Sequence, residues 1–307
     1  MNLRPLRNSL SILVLLFPLV TATAQVVKID STGNWRKSFK AGFNLNQAAF
    51  SGNWKGGGVN SFGFNTLLNY KANYKKDKIS WDNEIDLLYG MINNEGQGVR
   101  KTMDRIYLDT KYGRSFSEHW DAFIAANALS QFAKGYKYVK DANGVEQGQL
   151  TSDSFSPMFI TMTLGAEWKP VSYFKMRFSP IAPRVTLLSN NDGRYDAVDP
   201  VAPYGVLVGE SSRFEWYAFQ MIADLDKDIA KNVNLKVRYL MFANYKTLEA
   251  NKVDHRVDLS LTAKVGRFFN VNLGGIFIYD YDQDISPQYS QAISLGVLYT
   301  FQNFKDK

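Results

Sequence analysis

The chain of 307 residues has no cysteine, so disulfides and thiolate metal centres are excluded and stability must come from hydrogen bonding and packing. Histidine occurs only at His119 and His255, which leaves an imidazole-dependent hydrolase two positions for its base. No apolar run reaches the roughly 20 residues of a spanning helix. No fixed-period solenoid repeat is present, and no cluster of basic and aromatic residues of the nucleic-acid-reading kind, so no nucleic-acid partner is expected.

What is present begins with the three-part layout of a secretory signal. Arg4 and Arg7 form a positive start, Leu10 to Val20 an apolar stretch, and Ala22-Thr23-Ala24 supplies small residues before Gln25. This predicts a signal peptide over 1–24 and one domain over 25–307; as an uncleaved anchor helix the apolar stretch would be too short. The net charge of +7 falls to +5 without the two leader arginines, an excess that suits anionic lipid head groups.

Strict alternation dominates the rest. Phe62, Phe64, Thr66, Leu68, Tyr70, Ala72 and Tyr74 share one face of a strand, with Gly63, Asn65, Leu67, Asn69, Lys71 and Asn73 on the other. Ile79, Trp81, Ile85, Leu87 and Tyr89 oppose Ser80, Asp82, Glu84 and Asp86, and Val257, Leu259 and Leu261 oppose Arg256, Asp258 and Ser260. A soluble sandwich would turn the polar face to water, whereas a membrane barrel turns it to the lumen.

Length separates these two. Strands are predicted at 35–51, 59–75, 78–92, 101–114, 118–133, 157–169, 172–188, 211–227, 231–244, 254–266, 268–282 and 289–302. They exceed the usual five or six residues of soluble strands and meet the roughly nine to eleven of a tilted membrane strand. Short turns at Lys76-Asp77, Pro170-Val171 and Gly266-Arg267 alternate with larger loops around 134–156 and 189–210. The predicted fold is all-β: a transmembrane, antiparallel, up-and-down β-barrel of about twelve strands in the cell outer membrane, with both ends and the short turns in the periplasm. High Tyr and Phe content fits interfacial girdles.

The final strand carries Ser294, Gly296, Tyr299 and Phe301, a pattern that resembles the C-terminal signal read by the barrel-insertion machinery, although Gln302 to Lys307 follow it. Near the first loop, Asn44-Leu45-Asn46-Gln47 and the run from Ser51 through Trp54, Gly56, Gly57 and Gly58 to Ser61 resemble the opening hairpin of an uncharacterised outer-membrane β-barrel family of Bacteroidota, a domain of unknown function. That resemblance implies fold and compartment and no chemistry. Consecutive glycines there allow a tight turn, or a rigid loop that contacts a partner or closes the pore.

The candidate lumen lining is Glu84, Asp86, Arg105, Asp109, Lys111, Lys175, Arg177, Lys236, Arg238, Arg256 and Asp258. Two readings stand: a narrow, selective, porin-like channel for transport of small solutes, or a salt-bridged plug in a structural or partner-binding barrel of the envelope. A lipid-modifying enzyme is third; position 257 is Val where outer-membrane phospholipases place the serine of a His-x-Ser pair, so the chain is not expected to be an enzyme. No cofactor and no metal are expected, since Asp280-Tyr281-Asp282-Gln283-Asp284 lacks the Gly and closing Glu of an EF-hand loop. Pro180 and Pro183 mark either a lateral opening or the point where a strand leaves the membrane. Outer-membrane lipids, the insertion machinery and an envelope protein are the expected partners.

Overall fold

A computed structural model describes residues 33–51, 55, 58–265 and 269–303. The expected signal peptide, Trp54, Gly56, Gly57 and the Gly266-Arg267 turn lie outside the described residues. The strands are β1 (Trp35–Ala48), β2 (Ser61–Lys76), β3 (Ile79–Asn94), β4 (Gly98–Ser115), β5 (Trp120–Ser130), β6 (Gly135–Lys140), β7 (Glu146–Ser152), β8 (Met158–Val171), β9 (Phe174–Ile181) and β10 (Arg184–Leu187). β11 (Ser212–Glu215), β12 (Ala218–Ala230), β13 (Val233–Asn244), β14 (Asp254–Val265), β15 (Phe269–Asp280) and β16 (Asp284–Gln302) follow. Among the described residues, helix is confined to three 3-10 turns at 203–205, 245–247 and 250–252.

Every pairing is antiparallel and the sheet closes. Ser38 of β1 lies opposite Gln302 of β16, and the register runs to Leu45 opposite Leu295. β8 pairs with β9, and β9 with β12. β9 with β10, and β11 with β12, are single staves broken by a kink, so fourteen strands make a barrel of twelve staves. Pro180 and Pro183 cause the first break, because neither can donate to the ladder. Pairing resumes at once: Met162 N donates to Pro183 O at 3.0 Å and Ala182 N to Ala218 O at 2.9 Å.

Several strand ends shift by a few residues from the alternation-based expectation, and the turn expected at Pro170-Val171 falls instead at Ser172-Tyr173, because Pro170 and Val171 continue β8. The last strand starts at Asp284, five residues early, because Pro287 interrupts the apolar pattern while the strand is exposed and edges into the loops. Residues 134–156 hold the β6–β7 hairpin, which turns on Asp141, whose carboxylate accepts from Asn143 N and Val145 N, and on Gly144 at φ +80°.

The burial pattern is inside out. Ile124 is 59% exposed and Met162 62%, whereas Lys111 is 1% and Glu167 0% exposed. Outward rows such as Tyr70–Ile85–Leu108 and Ile124–Leu164 run from stave to stave, which is the surface a hydrocarbon solvent requires. Aromatic clusters flank this belt: Trp35 sits 5.3 Å from Tyr74 and 5.8 Å from Trp81 near the short turns, and Phe214 stacks on Trp216 at 5.5 Å near the long loops.

Candidate functional site

Side chains of the even residues of β3, β12 and β13 and the odd residues of β4, β8 and β9 project inward and meet across the barrel. Arg238 of β13 donates to Glu84 of β3 at 2.7 Å and to Asp224 of β12 at 2.6 Å. β3 and β13 stand six staves apart in a barrel of twelve, so this bond spans the full diameter. Arg105 of β4 pairs with Asp258 of β14 at 2.7 Å, also six staves away, and with its neighbour Asp86. Arg256 secures Asp258 in turn at 2.9 and 3.0 Å.

A second group fills the end nearer the short turns. Arg177 makes a bidentate pair with Asp109 at 2.9 and 2.8 Å and reaches Glu167 at 3.2 Å. Lys111 pairs with Glu167 and with Asp82 at 2.9 Å, while Lys169 pairs with Asp121. Lys236 lies 3.7 Å from both Glu84 and Asp86, Lys175 lies 3.7 Å from Asp224, and Asn69 donates to Glu84 at 2.9 Å and Asp86 at 2.8 Å. Guanidinium faces are also covered, with Arg238 4.6 Å from the Tyr107 ring centroid. Paired, hydrogen-bonded charges of this kind form a lattice that is expensive to open one member at a time.

The loop end is closed separately. Residues 188–211 fold into a cap with its own apolar core of Leu188, Tyr195, Tyr204 and Val206 packed against Leu150, Phe159 and Val198. Asn191 Nδ2 ties the cap together by donating to Leu207 O at 2.8 Å and Glu210 O at 3.1 Å. Tyr204 carries the cap across the mouth: its N donates to Asp282 O at 3.1 Å and its hydroxyl to Thr151 O at 2.7 Å. Burial, and then the Asp280 carboxylate, push the Tyr204 phenol above its ordinary value. Beside the cap a cavity of about 230 Å³ opens outward, lined by Arg213, Phe242, Asn244, Tyr281 and Asp282 among others.

A family model described as a protein of unknown function (DUF3078) matches residues 45–136. That span covers β2 to β5 and begins within the hairpin whose motif resembles an uncharacterised barrel family. No curated protein matches the sequence. Among solved structures, the translocator domain of autotransporter NalP from Neisseria meningitidis is 9% identical with a TM-score of 0.33, covering 87% of this chain and 88% of that one. An outer membrane channel from Pseudomonas putida F1 is 7% identical with a TM-score of 0.39, covering 90% and 98%. The CymD monoaromatic hydrocarbon channel is 9% identical with a TM-score of 0.35, covering 90% of each chain.

All eleven residues expected on the lumen face sit in the inward lattice. The partners that the sequence reading did not single out are Glu167, Lys169, Asp121 and Asp224, although each falls on the inward parity of its own strand. Neither histidine makes an ion pair in the lattice, although His255 borders a small cavity together with Arg256. His119 is exposed near a short turn, and His255 stacks outward between Tyr239 and Tyr279, with Tyr239 Oη 2.7 Å from its Nδ1. The Asp280 to Asp284 turn is held by an internal bond, Gln283 Nε2 to Asp280 at 2.6 Å, and by Arg213 of β11 donating to Asp282 at 2.6 Å, and the described residues hold no group of three or more metal-ligating side chains. Gly58 sits at φ +128° against the Phe50 ring, where a Cβ would come within 2.5 Å. Gly296 lies opposite Asn44 on the inward face, and Tyr299 and Phe301 point outward.

Proposed function

We propose that this chain is a bacterial outer-membrane barrel whose lumen is sealed at rest, and that it works through its outward cap and cleft, as a ligand- or partner-binding component of the envelope. The short turns and both chain ends face the periplasm on this reading, the long loops face outward, and Gly296, Tyr299 and Phe301 present the final strand to the insertion machinery. The observation that carries the proposal is the pair of contacts between opposite staves, Arg238 with Glu84 and Arg105 with Asp258. A solute would have to displace charged groups that already satisfy one another, at an interior position where unpaired charge costs several kcal/mol.

Single-channel recording in planar bilayers tests it. The wild type is expected to be silent across a wide voltage range, whereas an Arg105→Ser/Arg238→Ser variant, with both diametric contacts removed, is expected to show discrete steps. Steady conductance of the wild type, with ion selectivity that changes in Arg177→Gln and Arg238→Gln, would overturn the sealed reading in favour of narrow selective passage.

A further inference from the structure

Between the lattice and the cap, one region of the barrel wall carries polar groups that the protein itself leaves unsatisfied. Gln220 is 1% exposed; its Oε1 accepts from Asn127 Nδ2 at 3.1 Å, but its Nε2 has no partner. Arg184 is 9% exposed, gives Nη1 to Asp254 at 2.9 Å, and leaves Nε unpartnered. Asp280 has the opposite need. It is 8% exposed, its oxygens accept from the neutral Gln283 Nε2 at 2.6 Å and the Asp282 backbone N at 3.0 Å, and among the described residues no cation pairs with it.

Gln220, Arg184 and Asp280 line one cavity of about 50 Å³, and Asp254 contributes both to this cavity and to the outer one of about 230 Å³. At about 10–15 Å³ per water-sized group, the inner space holds about four such groups. Water would satisfy the donors but would bring no positive charge to Asp280. A neutral sugar has the same shortcoming, and the described residues group no three ligands for a metal ion. One small chemical unit supplies an anionic acceptor and a cation one carbon apart, and occupies about that volume.

We propose that this chamber binds a free α-amino acid. Its carboxylate accepts from Gln220 Nε2 and Arg184 Nε, its ammonium meets Asp280, and its side chain extends into the outer cavity toward Phe242 and Tyr281. The inference rests on the sealed reading in one respect: the lattice beneath makes the chamber a dead end in which a ligand is held rather than passed.

Calorimetric titration of the full chain in detergent tests this with glycine, L-leucine, L-glutamine and L-arginine, alongside butylamine, acetate, glucose and calcium chloride. Saturable one-to-one binding of at least one amino acid is expected, with none of the comparators binding, and a loss of at least tenfold in Asp280→Asn and in Gln220→Met. Folding of each variant is read from its heat-modifiable migration. If neither variant folds, Tyr281→Ala on the exposed rim decides: L-leucine is expected to bind severalfold more weakly while glycine is unaffected. Absence of amino-acid binding, equal binding of glucose or calcium, undiminished affinity in folded Asp280→Asn, or unchanged leucine affinity in Tyr281→Ala would each overturn the proposal. A conducting wild type would refute the sealed reading by itself, whereas a silent barrel that binds no amino acid would refute this inference alone.

Discussion

Glu84 and Arg238 offer a test of the lattice that neighbouring residues cannot mimic. They sit on staves six positions apart, so no ladder pairing or shared hairpin connects them, and any energetic coupling has to pass through the lumen. Arg238→Met removes both the Glu84 contact at 2.7 Å and the Asp224 contact at 2.6 Å. Glu84 keeps Lys71 and Lys236 at 3.7 Å, and Asp224 keeps Lys175 at 3.7 Å, so neither carboxylate is left without a cation nearby. The expected loss therefore lies near the lower end of the range for breaking a buried pair, about 3 kcal/mol. Glu84→Gln alone should cost about 1–3 kcal/mol, because an amide can still meet Asn69 but cannot neutralise the surrounding cations. The double variant should recover part of the sum, giving a coupling of about 1–2 kcal/mol, against about 0.3–0.5 kcal/mol for independent distant sites. Urea unfolding in lipid vesicles, read by tryptophan emission and by the folded band on unheated gels, measures all four corners of the cycle. Additivity within about 0.3 kcal/mol would show that the two side chains do not meet, and the sealed lumen would fall with them.

Further outcomes follow from the same structure. Leu68→Arg and Leu259→Arg, on the outward face near mid-strand, should each reduce the folded fraction in membranes, at about 2–4 kcal/mol per charge near the bilayer midplane; normal assembly of both would invert the facing of the strands. Gly296→Ala should slow or prevent closure between the first and last strands, because its Cβ would fall 2.3 Å from Phe43 O and 2.0 Å from Asn44 Oδ1, and accumulation of unfolded chain in pulse-labelled envelopes checks it. Tyr204→Phe should loosen the cap by about 1 kcal/mol through loss of the bond to Thr151 O, seen as faster proteolysis within 188–211 with the barrel band unchanged. Because the Tyr204 phenol is raised in the folded state, its contribution is fully present below the ordinary tyrosine value of about 10 and declines as pH rises past it, so cap proteolysis of the wild type should accelerate above about pH 10 and that of Tyr204→Phe should not share the step.

The barrel was legible because it rests on a period of two, which a single strand already displays. β2 announces its facing through seven outward residues from Phe62 to Tyr74, and its neighbours repeat the pattern at a matching length. The kinked stave at Pro180 and Pro183 and the early start of β16 at Asp284 were less visible, because proline and exposed polar residues obscure alternation without ending the pairing. Inward facing of Arg238 could be inferred from parity, but its meeting with Glu84 could not. Which residues meet across a lumen depends on strand number, tilt and register together, and no local stretch of sequence carries all three. The cap was hidden for a related reason. Tyr195, Tyr204 and Val206 look like ordinary loop residues until the loop folds back on Leu150 and Phe159 from other parts of the chain.

Sealing a lumen with charge rather than with apolar side chains has a consequence for how the barrel chooses its register. A slip of one residue turns every side chain of a strand to the opposite face. If the lumen of this barrel were apolar, a slipped β13 would place one set of apolar groups outward in place of another, at little cost. With Lys236 and Arg238 on the inward face, the same slip would drive two basic groups into lipid, about 4–8 kcal/mol on the scale for basic residues near the midplane. It would also leave Glu84 and Asp224 without their closest cation. That penalty compares with the whole stability of many domains. The lattice thus excludes misaligned barrels more strongly than its net contribution to the aligned one would suggest. Replacing Lys236 and Arg238 together by Met, with Glu84→Gln and Asp224→Asn to remove the orphaned acids, should accordingly cost little in final stability while increasing the fraction of chains trapped in misassembled forms during folding into vesicles.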